Sequence, residues 1–194
     1  MDSQQVRAMV ELARAGKDEG FTEILAVYGP RLFGYFYRCT GSYHDAEDLL
    51  GELMVRLVRR LAGYDDRGRF EPWLFSIAAN LVRDRIRRSR SSPPAASLES
   101  EGHSGQSLAE GLASPPAPVE TGLLAGEVRR ELAAALDRLD ERSRQMVLLR
   151  HFGQMSFKEI AEVFDCPVGT VLAKVHRALK TLRGLLEESH ELEQ

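Results

Sequence analysis

The segment SFKEIAEVFDCPVGTVLAKVHRALKTLR, residues 156–183, contains two short helical patterns separated by a tight break. Ser156 and Glu159 have the capping-box spacing, in which the hydroxyl accepts from an early helical N–H and the carboxylate accepts from the N–H of the cap residue. Four apolar residues then recur at the i, i+3, i+4, i+7 spacing of one helix face: Phe157, Ile160, Ala161 and Phe164. Asp165 and Pro167 predict the break, since Asp tolerates left-handed backbone and Pro suits the start of a helix. The segment is therefore predicted to be a helix-turn-helix.

The second helix of this segment is basic on the face that it is expected to expose. Its predicted buried stripe has helical spacing: Val168, Val171, Leu172, Val175, Leu179 and Leu182. An exposed line that could enter a DNA major groove comprises Thr170, Lys174, Arg177 and Thr181. Residues 168–184 hold four Lys or Arg and no acidic residue, so the chain's net charge of −3 does not exclude DNA binding, which depends on local charge. An amphipathic hairpin with a solvated basic face is the alternative at this point.

Length and composition limit the class of protein. A chain of 194 residues with 43% hydrophobic content is expected to form one or two folded domains. The two cysteines, Cys39 and Cys166, lack the spacing of a metal site or a disulfide framework, and neither a metal nor a cofactor is expected. No run reaches the roughly 18 apolar residues of a membrane span, and the first residues lack the features of a signal peptide. A cytoplasmic protein is therefore expected.

The first 61 residues are predicted to form three helices. An opening amphipathic helix is followed by an aromatic-rich helix that continues past Pro30. Ser42 and Asp45 repeat the capping-box spacing before a third helix that runs to about Leu61. The apolar stripe of this third helix is Ala46, Leu49, Leu50, Leu53, Met54, Leu57, Val58 and Leu61. Gly51 is unfavourable inside it by about 1 kcal/mol relative to Ala, and a close approach by a partner or by a neighbouring helix would explain its presence.

A loop at residues 63–71 and a helix opened by Pro72 come next. The inward face of this helix is predicted to be Leu74, Ile77, Ala78 and Leu81, and the opposite face Ser76, Asn80, Arg83, Asp84 and Arg87. Residues 83–90 hold five arginines, and Phe70 and Trp73 lie in the same segment. Single-stranded nucleic acid is bound by this combination, because cations follow the backbone and rings accept unstacked bases. The alternative is a core tryptophan beside a solvated helix end.

The chain is predicted to divide into helical domains at residues 1–88 and 127–194, joined by a disordered Ser/Pro-rich linker at 89–126. The second domain begins with a helix whose stripe is Leu124, Val128, Leu132, Ala135, Leu136 and Leu139. A further helix is capped by Asp140 or Ser143, ends at Gly153 and turns Met146, Val147 and Leu149 inward. The predicted fold class is therefore all-α, with two small helical domains and no strand.

Three motifs in this order resemble those of a bacterial RNA polymerase sigma factor of the small extracytoplasmic-function (ECF) class. DAEDLLGELMVRL at residues 45–57 is similar to the family's core-polymerase-binding helix. FEPWLFSIAANLVRDRIRR at residues 70–88 is similar to the segment that melts and reads the minus-ten promoter element. Residues 139–183 are similar to the reader of the minus-thirty-five element. The ordered set of three is more specific than any one of the motifs.

The resemblance implies a sigma factor that binds core RNA polymerase and directs promoter recognition, promoter opening and transcription initiation. The implied polymerase-binding residues are Asp45, Asp48, Leu49 and Glu52. The residues implied at minus-ten DNA are Phe70, Trp73, Asn80, Arg83, Asp84 and Arg87, with the loop at 63–71 capturing a flipped base. Those implied at minus-thirty-five DNA are Thr170, Lys174, Arg177 and Lys180. The implied partners are core polymerase and promoter DNA, with an anti-sigma factor as a further candidate and no membrane insertion.

A conventional helix-turn-helix transcriptional regulator that does not bind core polymerase is the competing interpretation. Such regulators commonly read paired half-sites with two-fold symmetry, and the sequence shows neither coiled-coil heptads nor an obvious dimer helix. An enzyme is a third class. The sequence lacks a Gly-rich phosphate loop, a His-Glu metal pair and an activated nucleophile pattern, so no catalytic residue is expected.

Overall fold

The computed structural model describes residues 2–65, 68–91 and 130–192, and the regular structure within these ranges is entirely helical. The described residues fall into two compact units, one reaching residue 91 and the other starting at residue 130. None of the helices in these ranges is both long enough and apolar enough to cross a membrane. The predicted all-α fold class is therefore confirmed.

The described part of the N-terminal unit consists of the helices α1 (Ser3–Arg14), α2 (Asp18–Thr40), α3 (Tyr43–Leu61) and α4 (Phe70–Ser91). Asp2 and Gln5 form a capping box at the start of α1, which the sequence reasoning did not identify. Gly20 allows α2 to cross α1 closely, because a Cβ at this position would lie 2.3 Å from the backbone nitrogen of Ala13. Pro30 lies inside α2, and the helix continues through it as predicted.

Helix α4 is buried on more sides than the sequence indicated. The predicted inward residues are buried, and Phe75, Ala79 and Val82 are buried as well. The physical reason is that α4 packs against both α2 and α3, so residues on more than one side of this helix are buried. The helix also begins at Phe70, two residues before Pro72, which lies in the first turn where its missing N–H costs no helical hydrogen bond.

Helix α3 has the predicted bounds but a narrower apolar stripe and an incomplete cap. Its buried residues are Ala46, Leu49, Leu50, Leu53, Leu57 and Leu61. The prediction was wrong for Val58, which is 55% exposed, and Met54 is half-buried. Ser42 accepts a hydrogen bond from the Asp45 N–H at 3.2 Å. The Asp45 carboxylate does not complete the predicted capping box, because it pairs with Arg85 of α4.

The described part of the C-terminal unit consists of the helices α5 (130–137), α6 (Glu141–Phe152), α7 (Phe157–Phe164) and α8 (Val168–Leu192). Asp140 caps α6 by accepting from the Ser143 N–H at 3.0 Å, which decides between the two predicted caps. The capping box of Ser156 and Glu159 begins α7. Asp165 has a left-handed φ of 47° between α7 and α8. The two helices and the turn predicted for this segment are present.

The buried face of α8 differs from the predicted one. Val171, Val175, Ala178 and Leu182 are buried where α8 packs against α6 and α7. The prediction was wrong for Val168, Leu172 and Leu179, which are 40%, 44% and 51% exposed. The predicted stripe combined two neighbouring lines of apolar residues on one helix. Packing against α6 and α7 selects one of these lines, which sequence spacing alone does not distinguish.

The predicted linker lies mostly outside the described residues. Helix α4 continues through Ser91, three residues beyond the predicted domain boundary at 88, and the Ser89 hydroxyl donates to the Ile86 carbonyl at 2.9 Å. Residues 92–129 lie outside the described ranges, and they include Leu124 and Val128 of the predicted stripe. The linker and the boundary at 126 therefore stay predictions.

Candidate functional site

Two of the predicted polymerase-binding carboxylates on α3 are paired with arginines. Asp45 forms an ion pair with Arg85 of α4. Glu52 lies 2.7 Å from the Arg56 guanidinium, one turn along α3, and 3.8 Å from Arg88 of α4. These contacts place Asp45 and Glu52 on the flank of α3 that faces α4.

The other two predicted polymerase-binding residues have opposite environments. The Asp48 side chain is 49% exposed, with one carboxylate oxygen 3.7 Å from His44 Nε2. Leu49 is 1% exposed. The resemblance implied Leu49 as a polymerase-binding residue, but it lies three positions after Ala46 and four before Leu53, on the helix face that forms the core. Leu49 supports the fold of the surface and is not part of it.

The solvent-facing side of α3 is more apolar than the sequence reasoning indicated. Val55 is 51% exposed and Val58 is 55% exposed. Tyr43, at the start of the helix, is 50% exposed, and its ring packs edge-on against Phe33 with 5.0 Å between ring centroids. Val55 lies outside the predicted core stripe, and this position was the signal in the sequence that could have identified an apolar surface, whereas Val58 was assigned to the stripe.

The aromatic residues at the start of α4 form a cluster. The Phe70 ring centroid lies 5.7 Å from those of Tyr28 and Tyr64 and 5.8 Å from that of Trp73. Phe70 is 1% exposed, so the prediction that it offers a ring to DNA was wrong: the surrounding rings bury it in the core. Trp73 is half-buried and packs on Tyr64, with 4.4 Å between centroids. Of the predicted ring pair, Trp73 is the one that reaches the surface.

Beside the aromatic cluster, two charged side chains tie α2 to α4. Arg31 of α2 forms an ion pair with Glu71 in the first turn of α4. Burial and the Glu71 carboxylate raise the pKa of Tyr28 to about 12, although the Arg31 guanidinium acts in the opposite direction. Tyr28 therefore stays neutral at physiological pH and acts as part of the apolar support of Phe70. Asp66 and Arg67 of the predicted base-capturing loop lie outside the described residues.

The polar face predicted on α4 is present but partly paired. Asn80 is half-buried, Arg83 is exposed, and the Arg87 side chain is 77% exposed. Asp84 lies 3.1 Å from Arg87 and 3.7 Å from Arg56 of α3. These two contacts pair the Asp84 carboxylate with arginines, and its predicted contact with minus-ten DNA stays a prediction. The remaining polar residues of this face can donate to a nucleic acid.

The predicted DNA-reading residues of α8 do not share one environment. Thr170, Arg177 and Lys180 are exposed, and the Arg177 Nε donates to the Ala173 carbonyl at 3.2 Å. The Lys174 side chain is only 26% exposed. Its Nζ lies 3.5 Å from Asp140 Oδ1 and 3.4 Å from the Ser143 hydroxyl oxygen. Lys174 is therefore turned toward the start of α6 and away from the exposed line on which it was predicted.

Asp140 both caps α6 and pairs with Lys174 of α8. Burial alone would raise the pKa of Asp140, but hydrogen bonds from Ser143 and the nearby Lys174 ammonium outweigh it and hold that pKa below its ordinary value. An open cleft between the α5–α6 turn and α8 is lined by Arg138, Asp140, Ser143, Lys174, Arg177 and Thr181. Arg138 adds a positive charge at this site that the sequence reasoning missed. Among the described residues, no cluster of His, Cys, Asp and Glu has an arrangement that could hold a metal ion.

Comparisons with known proteins find two parts of one family in the same order along this chain. The family model for Sigma-70 region 2 matches residues 24–92, and the family model for Sigma-70, region 4 matches residues 129–182. The RNA polymerase sigma factor CarQ of Myxococcus xanthus is 31% identical over 179 residues, which cover 92% of this chain and 96% of CarQ. The ECF RNA polymerase sigma factor SigW of Bacillus subtilis is 26% identical over 185 residues, which cover 94% of this chain and 97% of SigW.

Two solved structures share the fold. CnrH in complex with the cytosolic domain of CnrY has a TM-score of 0.64 at 24% identity and covers 96% of this chain and 99% of its own. The sigma factor RpoE in complex with the anti-sigma factor NepR from Bartonella quintana has a TM-score of 0.60 at 20% identity and covers 86% and 96%. The region 2 match in the first half distinguishes the chain from a conventional helix-turn-helix regulator. The chain belongs to the sigma-70 family as a sigma factor of the ECF class, which directs transcription initiation.

Proposed function

We propose that this sigma factor divides promoter recognition among three helices: α3 binds core polymerase, α4 captures opened minus-ten DNA and α8 reads the minus-thirty-five duplex. The observation that carries the proposal is the exposed face of α8. Thr170, Arg177 and Lys180 are exposed on the helix that follows the left-handed turn at Asp165. A helix placed in this way, with a side chain that can donate to base edges and phosphates, suits a major groove.

Helix α4 supports the second part of the proposal. Its exposed end carries Arg83 and Arg87, and Asn80 lies half-buried one turn earlier. Trp73 is the ring available at the opposite end of the helix, with Phe70 behind it. Arginines that follow a phosphate backbone and a ring that stacks on a base are the usual means of holding single-stranded DNA. Such contacts hold a single strand and do not depend on its pairing with a complementary strand.

Helix α3 supports the polymerase-binding part through its acidic N-terminal half. Asp48 is the exposed member of the predicted carboxylates, and Asp45 and Glu52 lie on the flank paired with α4. A partner surface with a cation near Asp48 would gain an ion pair at the edge of the contact. Leu49 contributes by fixing the position of Asp48 on the helix.

The remaining parts of the proposal concern what surrounds these surfaces. The protein acts in the cytoplasm, where core polymerase works, and it has no catalytic activity of its own. Domains at 1–91 and 127–194, joined by a linker at 92–126, let one unit contact minus-ten DNA while the other contacts minus-thirty-five DNA. The linker composition of Ser, Pro, Gly and Ala suits a chain that only sets a reach between two units.

An anti-sigma factor is proposed as a regulatory partner. RpoE from Bartonella quintana, which shares the fold, was solved with the anti-sigma factor NepR. In this chain, the exposed apolar line on α8 formed by Val168, Leu172 and Leu179 supports the proposal, since exposed apolar residues in a line suit a protein partner. A candidate inhibitor should lose affinity for the Leu172→Ser, Leu179→Ser variant, and transcription in the absence of inhibitor should persist. Equal inhibitor binding by this variant would contradict a role for the line.

Transcription with purified core polymerase tests the proposed function directly. Core enzyme with and without this protein should be compared on a genomic promoter library. We expect the protein to produce a defined set of new start sites that share two sequence elements at fixed spacing. Loss of the same start sites in the Arg177→Ala and Asn80→Ala variants would support the assignment of α8 and α4, and unchanged start sites in both variants would contradict it.

A further inference from the structure

Two arginines of α6 contact the two ends of α7. Arg142 Nη2, near the start of α6, donates to the Phe164 carbonyl at 2.7 Å, and the guanidinium carbon lies 5.5 Å from the centroid of the Phe164 ring. Arg150, in the last turn of α6, donates to the Met155 carbonyl, and its guanidinium carbon lies 4.7 Å from the centroid of the Phe157 ring. We define the α7 clamp as Arg142 and Arg150 with these four contacts.

The lengths of the two helices match at these contacts. Arg142 and Arg150 are eight residues apart, which is about 12 Å along a helix. Helix α7 spans Phe157–Phe164, which is about 10 Å. The arginine at the start of α6 contacts the end of α7, and the arginine at the end of α6 contacts its start. The clamp therefore holds the whole length of α7.

The clamp attaches to the backbone of α7 and of the residue before its cap. The last carbonyls of a helix lack partners within the helix. The Asp165 and Cys166 N–H groups donate to two carbonyls of α7 at 3.4 Å and 3.1 Å, and the Phe164 carbonyl accepts from Arg142. At the other end, the carbonyl before the N-cap accepts from Arg150. These bonds restrain the helix axis directly, which a contact between two side chains with free rotamers would not do.

The position of α7 determines how α8 begins. Helices α6 and α7 each pack against α8 more extensively than against each other, so the clamp supplies much of the direct connection between α6 and α7. Three residues, 165–167, join α7 to α8, and Asp165 has the left-handed φ of 47°. A rotation of α7 would pass through this short turn to the first turn of α8, where Thr170 is exposed.

We propose that Arg142 and Arg150 are positioning residues for minus-thirty-five recognition, because they fix the angle at which α8 enters the major groove. The proposal rests on the proposed DNA-reading role of α8. Base-edge contacts require the reading side chains to lie within about 0.5 Å of their productive positions. Contacts to phosphates carry no sequence information, and long cationic side chains adapt to small rotations. Loss of the clamp should therefore reduce sequence discrimination more than overall DNA affinity.

Arginine is the side chain that can make both contacts at each end. A guanidinium is planar and has five N–H donors, so it can donate to a carbonyl in its plane while its face lies on a ring. A lysine ammonium keeps the charge but lacks this planar geometry. Arg142→Lys and Arg150→Lys therefore change the positioning contacts without changing the net charge.

Sequence discrimination by the complex of this protein with core polymerase tests the clamp. The probes are a promoter duplex recovered in the transcription experiment above and the same duplex with its upstream element replaced. The ratio of the two Kd values measures discrimination. Arg142→Lys and Arg150→Lys should each lower this ratio by roughly 5-fold or more, the size expected for loss of one base contact. The Kd for the replaced duplex and its dependence on salt should match those of the parent protein.

A third arginine of α6 provides the matched control. Arg144 pairs with Asp137 at the end of α5, at 2.9 Å, and its side chain is 13% exposed. Arg144→Lys should lower the melting temperature of the C-terminal unit, because this pair is partly buried, and should leave the discrimination ratio unchanged. Circular dichroism of each full-length variant measures the melting temperature.

The other outcomes would overturn the proposal in distinguishable ways. A parental ratio in both Arg142→Lys and Arg150→Lys would show that the clamp does not position α8. An equal loss of discrimination in Arg144→Lys would assign the effect to the stability of the unit. A salt slope lower by about 0.9 in Arg142→Gln, with a parental ratio in Arg142→Lys, would make Arg142 a phosphate contact instead. Failure of the parent complex to discriminate between the two duplexes would overturn the proposed role of α8 itself.

Discussion

Lys174 is a cation on α8, as the sequence predicted, but its side chain points in a direction that the sequence did not predict. Its sequence spacing places it on the DNA-facing line of α8, but its ammonium lies 3.5 Å from Asp140 and 3.4 Å from the Ser143 hydroxyl. A partly exposed pair of this kind contributes little to stability, commonly about 0–1 kcal/mol. We expect the consequence to be for DNA binding, because Asp140 would compete with DNA phosphates for the lysine.

The first prediction tests this competition. Asp140→Asn should retain the helix cap, since Asn caps as well as Asp, and should release Lys174 from its charged partner. Binding to duplex DNA should then become more salt-dependent, with the slope of log K against log salt steeper by about 0.9 for one additional phosphate contact. The slope is obtained from titrations of the full-length protein at several salt concentrations.

Two further variants provide the control for Lys174. Asp137→Asn makes the same change in net charge, but its partner is Arg144, at 2.9 Å, whose side chain is 13% exposed, so we expect its release to add no phosphate contact. Its salt slope should match that of the parent protein. Adding Lys174→Gln to Asp140→Asn should restore the original slope. Equal slopes in the two Asp→Asn variants would show that Asp140 does not restrain Lys174.

The second prediction separates duplex reading from strand capture. Arg177→Ala should weaken binding to closed promoter duplex, by about 1 to 3 kcal/mol if the side chain makes a bidentate base contact. A template with a premelted bubble should not restore it. Asn80→Ala should leave duplex binding intact and reduce opening, so that premelting bypasses part of its defect. The measurement is open-complex formation on the two templates, and an identical response of both variants would contradict the division.

At the scale of a helix, local rules explain where elements begin and end. Ser156 and Glu159 bond reciprocally, with the Ser156 N–H donating to Glu159 Oε2 at 2.7 Å and the Glu159 N–H donating to the Ser156 hydroxyl at 3.3 Å. Both partners lie within one turn of the chain, so the pattern was visible in the sequence. At Ser42 the same spacing produced only one of the two capping-box hydrogen bonds. The Asp45 carboxylate pairs instead with Arg85, which lies 40 residues away.

The third prediction concerns the capping box of α7. Ser156→Ala should lower the free energy of unfolding of the C-terminal unit by about 1 kcal/mol, because helical N–H groups lose their acceptor. Glu159→Gln should cost less, since glutamine also satisfies the capping-box pattern. Urea unfolding followed by circular dichroism measures the difference. A larger loss in Glu159→Gln than in Ser156→Ala would show that the carboxylate charge, and not the hydroxyl cap, stabilises the start of this helix.

At the scale of the whole molecule, the single tryptophan allows the unfolding of one unit to be measured separately from that of the other. Trp73 is the one tryptophan in the sequence, and it lies in the N-terminal unit. Its fluorescence therefore reports the unfolding of that unit, whereas circular dichroism reports both. If residues 92–126 act as a linker without a structural role, the two units should unfold independently.

The fourth prediction follows from this separation. A specific protease site placed near Gly105, in the predicted linker, should be cleaved without a change in the midpoint of Trp73 fluorescence unfolding. Promoter-dependent transcription should fall after cleavage, because the two DNA contacts are no longer joined at high effective concentration. A shift of the fluorescence midpoint after cleavage would show that the linker or the second unit stabilises the first.

The sequence explains the order of the charges along α3 but not which of them contact another helix. Acidic residues near the start of a helix and arginines near its end complement the helix dipole, and this accounts for the order of charges. It does not indicate that Asp45 and Glu52 face Arg85 and Arg88 of α4. These contacts pair two predicted polymerase-binding carboxylates with arginines, whereas Asp48 is exposed one turn before Gly51.

Caps, helical spacing and turn residues depend on neighbours within about four positions, so the helices and the left-handed turn at Asp165 were predictable from the sequence, and the resemblance of three motifs indicated the family. The packing of the helices was needed to identify which apolar residues are buried. Leu49 and Phe70 entered the core, whereas Val58 and Leu179 remained on the surface. It also decided that Lys174 turns toward Ser143, 31 residues away. Burial and ion pairing depend on which helices pack together, and the spacing of residues along one helix does not contain that information.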